Sequence, residues 1–285
     1  MLRKLIKYEW KSTYKVGSLM LITSLVIGLL GAITVRFAFH DDMENELASS
    51  VFPILGFFTL LLFFLLLVSI VYGNLIYQGV KFYKSMYCDE GYLSHTLPVT
   101  THQLLLSKIF VSGIWVLLIA VSLFVAGFMF VGSLISASGA DMSLWEVIRE
   151  IFRHLPELKE EFGISITPYV IWFILTVFVG PFISMASLFG AITMGQIVNK
   201  HRGLMAFVFY LLYMVVNWIC QMITGMPFEY AKYNSLNSGY DDSFFGTFSG
   251  ANVGKCFTQL AVNFVLAMIM YAIAYHINEK KLNLE

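Results

Sequence analysis

The chain has 285 residues, of which 58% are hydrophobic and 13% are charged, whereas a soluble domain carries about 25% charged residues. So little polar surface cannot cover a water-facing globule, and the composition predicts a membrane protein. Eighteen basic residues balance eighteen acidic ones, which argues against a basic nucleic-acid-binding protein and against an acidic disordered chain.

Three cysteines stand far apart in the chain, at Cys88, Cys220 and Cys256. An odd number at wide spacings indicates neither a disulfide framework nor a pair of metal ligands. We therefore predict no metal site, and the redox compartment is left open.

Six apolar stretches are long enough to cross about 30 Å of hydrocarbon, which takes roughly 20 helical residues. They lie at about 17–37, 53–76, 109–135, 167–195, 204–225 and 256–276. We predict an all-α, polytopic protein with six transmembrane helices that form a single domain over 1–285. The first stretch is longer than the apolar core of a signal peptide and is expected to be a retained helix.

The distribution of Lys and Arg around these stretches predicts how the chain is oriented. With a cytoplasmic N-terminus, the inner segments hold twelve basic and five acidic residues, and the outer segments hold six basic and thirteen acidic residues. Because basic loops stay on the cytoplasmic side, both termini are predicted to be cytoplasmic.

The basic segment at 2–15 interleaves apolar residues with lysines. This pattern fits an amphipathic helix in the cytoplasmic interface, with its lysines toward lipid phosphates. It equally fits a positive flank that only orients the first span.

The most informative segment is the predicted cytoplasmic loop at 77–108, where a short aromatic-rich helix precedes an acidic pair, a glycine stop and a Leu-Pro turn. Apolar groups exposed on such a loop indicate a docking surface for another protein. Its predicted members are Phe82, Tyr83, Met86, Tyr87, Tyr92 and Leu93. The acids Asp89 and Glu90 are expected either to pair with bases of that partner or to cap a helix.

Two outer segments carry distinctive patterns. Residues 141–163 are predicted to form an amphipathic helix interrupted by Pro156. This helix is expected to lie on the membrane or cap the bundle as a lid, or to recognise substrate. The segment at 227–252 is rich in aromatic residues. These are expected either to be interface anchors or to line an exit for an amphiphilic substrate.

Small residues recur at every fourth position in two places, which permits close helix packing within or between subunits. The two sets are Ser187, Ala191 and Gly195, and Gly246, Gly250 and Gly254.

Uncharged amides interrupt the last two spans. Asn217 with Gln221, and Gln259 with Asn263, are each spaced to share one helical face. Because amides in hydrocarbon seek partners, these faces are expected to point toward other helices or a wet cavity. They are either interhelical contacts or a substrate pathway.

No Asp, Glu, Lys, Arg or His lies in the central part of a predicted span. An ion-coupled carrier and a membrane hydrolase need such groups, so we predict neither, and no catalytic residue is assigned. The run at 249–256 looks like a phosphate-binding loop, but Ser249 and Cys256 stand where a glycine and a magnesium-binding hydroxyl belong. The chain is therefore expected to carry no ATPase of its own.

Three runs resemble the permease subunits of bacterial ABC exporters of the type-2 family. They are Asp89–Leu93, Thr96–Val99 and Gly195–Arg202. The basic N-terminus and the six-span layout agree, so the likeness covers nearly the whole chain. The outer segment between the fifth and sixth spans departs from the family because it lacks an obvious apolar re-entrant hairpin.

The resemblance implies two permease subunits, as a homo- or heterodimer, that pair with two separate ATPase subunits in a bacterial plasma membrane. It also implies a coupling helix within about 80–93, which includes Gly91. ATP and magnesium would be bound by the partner ATPase, with membrane lipid as the surroundings and no nucleic acid.

The expected function is transport of an amphiphilic or hydrophobic substrate such as a peptide, lipid or drug, with energy from the partner ATPase. The alternative is a membrane sensor or immunity-type protein that binds a peptide or cell-wall precursor without transport. Co-purification of an ATP-binding subunit separates the two.

Overall fold

The computed structural model describes residues 2–38, 46–88, 91, 98–137, 145–146, 149–150, 153, 167–198, 201–237 and 250–280. All regular secondary structure within these residues is helical. The six long helices are α1 (Leu2–Ala38), α2 (Glu46–Tyr87), α3 (Thr101–Ala137), α4 (Thr167–Gly195), α5 (Arg202–Asn237) and α6 (Gly250–Lys280).

Each of these six helices contains a stretch that is long and apolar enough to cross a membrane. The predictions of an all-helical fold and of a multi-pass membrane protein are therefore confirmed. Large apolar side chains remain exposed along α2 and α5, as expected for helices whose surroundings are lipid tails rather than water.

Several helices are longer than the predicted spans. The helix α1 begins at Leu2, so the basic segment and the first span form one continuous helix. The helix α2 runs to Tyr87, beyond the predicted span end at 76. The helix α5 continues through Pro227, which membrane helices tolerate because neighbouring groups can satisfy the freed carbonyl.

The chain divides into two compact units. The first unit consists of Met1–Glu9, Gln78–Ile114 and Pro156–Glu285, and the second unit of Trp10–Tyr77 and Trp115–Leu155. Whether both belong to a single functional domain stays a prediction.

The second unit packs through small residues and stacked rings. The hydroxyl oxygens of Ser24 and Ser122 lie 2.6 Å apart in a buried contact between α1 and α3. A Cβ added to Gly28 would lie 2.5 Å from the Cβ of Ala126, so only glycine permits this approach. The rings of Phe63 and Phe130 stack at 4.5 Å.

In the first unit, α4, α5 and α6 all pack against one another. Ser187 and Ala191 are buried, and a Cβ added to Gly195 would lie 2.5 Å from the backbone nitrogen of Ala206. The predicted close packing along this face of α4 is therefore confirmed, and it occurs within the chain. Of the second predicted set, Gly254 meets the ring of Phe228 in the same way.

Most of the outer segment at 141–163 and the residues 238–249 lie outside the described residues. Within the outer segment, Arg153 pairs with Glu150 at 3.2 Å on an exposed helical face. The predicted amphipathic helix therefore stays a prediction.

Candidate functional site

A cavity of about 320 Å³ lies among α4, α5 and α6 in the first unit. Amide side chains of α5 and α6 form one part of its wall, and hydroxyl side chains of α4 and α5 form another. We call it the polar cavity. Its polar lining residues are Thr176, Ser184, Ser187, Tyr210, Tyr213, Asn217, Gln221, Cys256, Gln259 and Asn263.

The four amides predicted as a substrate pathway all line the polar cavity. Gln221 Nε2 donates to Asn217 Oδ1 at 3.3 Å and to Asn263 Oδ1 at 3.1 Å. This network joins α5 to α6, as expected for an interhelical contact. Gln259 lines the same space and makes no hydrogen bond with the residues that the structure describes, so the geometry accommodates both interpretations.

Hydroxyl groups form hydrogen bonds in another part of the wall. Ser187 Oγ lies 2.8 Å from the hydroxyl of Tyr213, which joins α4 to α5. Ser184 donates to the carbonyl of Pro181 at 2.8 Å. The hydroxyl wall is therefore held in place by hydrogen bonds within the chain.

Apolar side chains complete the lining, with Trp172 on α4, Met214 on α5 and Leu260 on α6. Among the described residues that line the cavity, none carries a formal charge, and nearby Lys255 pairs with Glu229. A wall of neutral donors and acceptors beside apolar surface can hold an uncharged, partly apolar group.

The predicted coupling helix at 80–93 begins as a continuation of α2 rather than as a separate short helix. Phe82 is only 2% exposed and stacks on Phe189 of α4, with ring centroids 4.0 Å apart. Met86 is fully buried. Because one face of the extended α2 packs inside the chain, the prediction that Phe82 and Met86 form an exposed docking surface is wrong.

Tyr87 ends α2 and bonds to two other helices. Its hydroxyl lies 2.7 Å from Thr193 Oγ1 on α4 and donates to Asn278 Oδ1 on α6 at 3.1 Å. Asn278 in turn donates to the carbonyl of Ala274 at 2.8 Å. The half-buried Tyr83 contacts the Tyr87 ring. The end of α2 is thus fixed to the ends of α4 and α6.

Gly91 lies where a glycine is required. Its amide donates to the carbonyl of Cys88 at 2.6 Å, and an added Cβ would collide with the backbone carbonyl of Met86. The predicted members Asp89, Glu90, Tyr92 and Leu93 lie outside the described residues. Their roles stay predictions.

Sequence reasoning missed a partly buried group of charged and polar side chains, the charged cluster, formed in the first unit by Glu9, Lys81, Ser85 and Lys108. Glu9 accepts from Lys81 at 3.2 Å and from Lys108 at 3.3 Å. Lys108 also donates to Ser85 Oγ at 2.7 Å, and its side chain is only 5% exposed. One signal was visible, since Glu9 is the sole acid in the basic segment at 2–15.

Two buried amides on α2 were also missed. Ser112 Oγ donates to Gln78 Oε1 at 3.0 Å, while Gln78 Nε2 has no partner among the described residues. Asn74, one helical turn earlier, is likewise buried with an unpartnered oxygen in the described part of the chain. Their spacing matches that of the amide pairs noted in the last two spans, and the same search would have found them.

The run that looks like a phosphate-binding loop lies largely in a helix, because 250–256 form the first turns of α6. The prediction that it binds no nucleotide stays a prediction. Among the described residues, no group of three or more His, Cys, Asp or Glu is placed to hold a metal ion.

No protein-family model, curated protein or solved structure matches the chain. The resemblance to ABC permeases therefore stands on the three sequence runs and the six-span layout.

Proposed function

We propose that the chain is the membrane-spanning subunit of an ATP-driven ABC exporter in a bacterial plasma membrane. It moves an amphiphilic or hydrophobic substrate, such as a peptide, lipid or drug. It acts with a second permease subunit and with two ATPase subunits, which bind ATP and magnesium.

The proposed orientation places both termini in the cytoplasm. Its support is the charge distribution, in which inner segments are basic and outer segments are acidic. In this orientation the end of α2 and the charged cluster face the ATPase side. The same orientation assigns the segment at 141–163, which is predicted to be an amphipathic helix, to the outer side of the membrane.

One observation carries the proposal: the end of α2 is bonded to the same helices that wall the polar cavity. Phe82 and Tyr87 contact α4, and Tyr87 also bonds to Asn278 on α6. A force applied to this end of α2 would be transmitted to α4 and α6, because packed helices move as stiff bodies. The cavity walls would move with them.

The charged cluster stiffens the same region. Lys81 and Ser85 lie on the last turns of α2, and Lys108 and Glu9 link them to α3 and α1. The end of α2 must be held in this way if it is to transmit the motion of the ATPase to other helices without bending. The neutral lining of the polar cavity suits an uncharged amphiphile better than an ion.

A membrane sensor or immunity-type protein would also need a ligand cavity, so the polar cavity favours this second candidate as well. Such a protein would not need an ATPase, and its ligand binding would be independent of ATP. The two candidates therefore differ in their dependence on an ATP-binding partner.

The test is purification of the tagged full chain from its native membrane, followed by reconstitution of any co-purified ATP-binding subunit in liposomes. We expect ATP hydrolysis that depends on the chain. The variant Tyr87→Phe removes two hydrogen bonds of about 1 kcal/mol each and should lower this hydrolysis several-fold while the complex still assembles.

The control is Tyr72→Phe, the same change on the same helix at a side chain that is 58% exposed. It should behave as the unmodified protein does. Absence of an ATP-binding partner, or equal hydrolysis in the two variants, would contradict the proposed function.

A further inference from the structure

The amides of the polar cavity differ in the number of hydrogen bonds that they make within the chain. Gln221 uses both amide hydrogens, since it donates to Asn217 and to Asn263. Gln259 lines the cavity without any hydrogen bond to a described residue. One complete amide, with a donor and an acceptor side by side, is thus left facing the space.

We propose that the polar cavity binds an uncharged ligand that carries an amide, such as a peptide bond or an N-acyl group, and that Gln259 pairs with this amide. The proposal deepens the proposed function, on which the ligand's role as a transported substrate rests. The binding itself can be measured without any ATPase.

The choice of an amide follows from complementarity. A side-chain amide presents one acceptor and two donors, and another amide can satisfy a donor and an acceptor of Gln259 together. A hydrocarbon would leave these groups unpaired, which is costly away from water. A charged group would lose its hydration, and the described lining of the cavity offers it no counter-charge.

The apolar part of the ligand has a place as well. Trp172, Met214 and Leu260 lie on three different helices around the same space. Known ligand cavities range from about 300 to 1,000 Å³, so the volume of about 320 Å³ fits a head group with a short chain. A whole lipid or a long peptide would be held by one segment only.

The test uses the purified full chain and four probes with the same ten-carbon, diazirine-bearing chain. Their heads are a carboxamide, a carboxylate, an ammonium and hydrogen. Photolabelled residues are mapped by mass spectrometry, and competition with unlabelled decanamide gives the affinity. We expect the carboxamide to label α4, α5 and α6 selectively and saturably.

Gln259→Leu should weaken carboxamide binding by about five- to thirtyfold, the effect of losing roughly one or two neutral hydrogen bonds. Gln259→Glu keeps the size of the side chain but introduces an anion. Binding of the carboxamide probe should therefore weaken, and binding of the ammonium probe should appear. Thr258→Val is the matched control: its hydroxyl bonds to the carbonyl of Gly254 within α6, and it should bind as the unmodified chain does.

Equal labelling by all four probes, or full carboxamide selectivity in Gln259→Leu, would overturn the inference. Selective binding that no ATP-binding partner ever influences would instead sink the proposed function and leave the binding site intact. ATP-driven activity without carboxamide selectivity would contradict the amide-binding site and leave the proposed function intact.

Discussion

The charged cluster and the polar cavity are both polar sites among apolar helices, but they differ in whether their polar groups have partners within the chain. In the charged cluster, Glu9 lies between two ammonium groups and Lys108 also bonds to Ser85. In the polar cavity, Gln259 has no partner among the described residues. Polar groups satisfied by the chain itself fix the fold, and groups left open are available to a ligand.

The two sites also differ in what a mutation should cost. Removing one member of a buried ion pair leaves an uncompensated charge, which destabilises by about 3–5 kcal/mol. A hydrogen bond between side chains of membrane helices contributes only about 0.6 kcal/mol on average, and up to about 1.7 kcal/mol. Substitutions in the charged cluster should therefore lower the free energy of unfolding more than substitutions in the polar cavity.

The largest effect is expected for Glu9→Leu. This change removes the carboxylate that contacts both Lys81 and the buried Lys108, and should lower the free energy of unfolding by about 3 kcal/mol. Unfolding in mixed detergent micelles, followed by tryptophan fluorescence, measures it.

A charge exchange, Glu9→Lys with Lys108→Glu, keeps the composition of the cluster and should recover part of the loss. Glu150→Leu removes a carboxylate from the exposed pair with Arg153 and should cost under about 1 kcal/mol. If Glu9→Leu lowers the free energy of unfolding no more than this control does, the proposed difference between the charged cluster and the polar cavity is contradicted.

Gly190→Ala tests how firmly the walls of the polar cavity are held together. A Cβ at Gly190 would lie 2.7 Å from the Cβ of Met270 and 2.8 Å from its carbonyl oxygen, so α4 and α6 would have to separate. We expect a loss of about 1–3 kcal/mol.

The matched control is Gly127→Ala on α3, where an added Cβ meets nothing within 4 Å. It should be neutral or stabilise by up to about 1 kcal/mol, because alanine favours helix over glycine. Equal behaviour of the two variants would mean that the close approach of α4 and α6 is not maintained in the membrane.

The same contrast explains what the sequence could predict. The six helices follow from local hydropathy, and the cavity amides stand out because Asn217, Gln221, Gln259 and Asn263 interrupt apolar runs. Both signals lie within single helices. The polar cavity was therefore foreseeable in its amides, although its hydroxyl wall was not.

The charged cluster depends on contacts between distant parts of the chain. Lys81 lies 72 residues from Glu9, and Lys108 lies 99 residues from it, so only the tertiary packing of three helices reveals the pairing. The prediction that Phe82 and Met86 are exposed was wrong for a related reason. An aromatic or apolar residue in a polar segment fits an exposed docking surface and a buried helix face equally well until the neighbouring helix is known.

A smaller effect is expected for Gln221→Leu. The change removes the donors to Asn217 and Asn263, and should lower the free energy of unfolding by about 1 kcal/mol. The same micelle titration measures it. A loss as large as that of Glu9→Leu would indicate that the amides are primarily structural and would weaken the distinction between the two sites.

The smallest effect on stability is expected for Gln259→Leu. Since this amide makes no hydrogen bond with the described residues, its removal should change the free energy of unfolding by less than about 0.5 kcal/mol. Gln221→Leu is the natural comparison, because the two substitutions are chemically identical and both positions line the polar cavity. A loss in Gln259→Leu that matched or exceeded the loss in Gln221→Leu would mean that Gln259 is satisfied by the chain after all. It would then be a structural group like Glu9, and the polar cavity would lose the open amide that distinguishes it from the charged cluster.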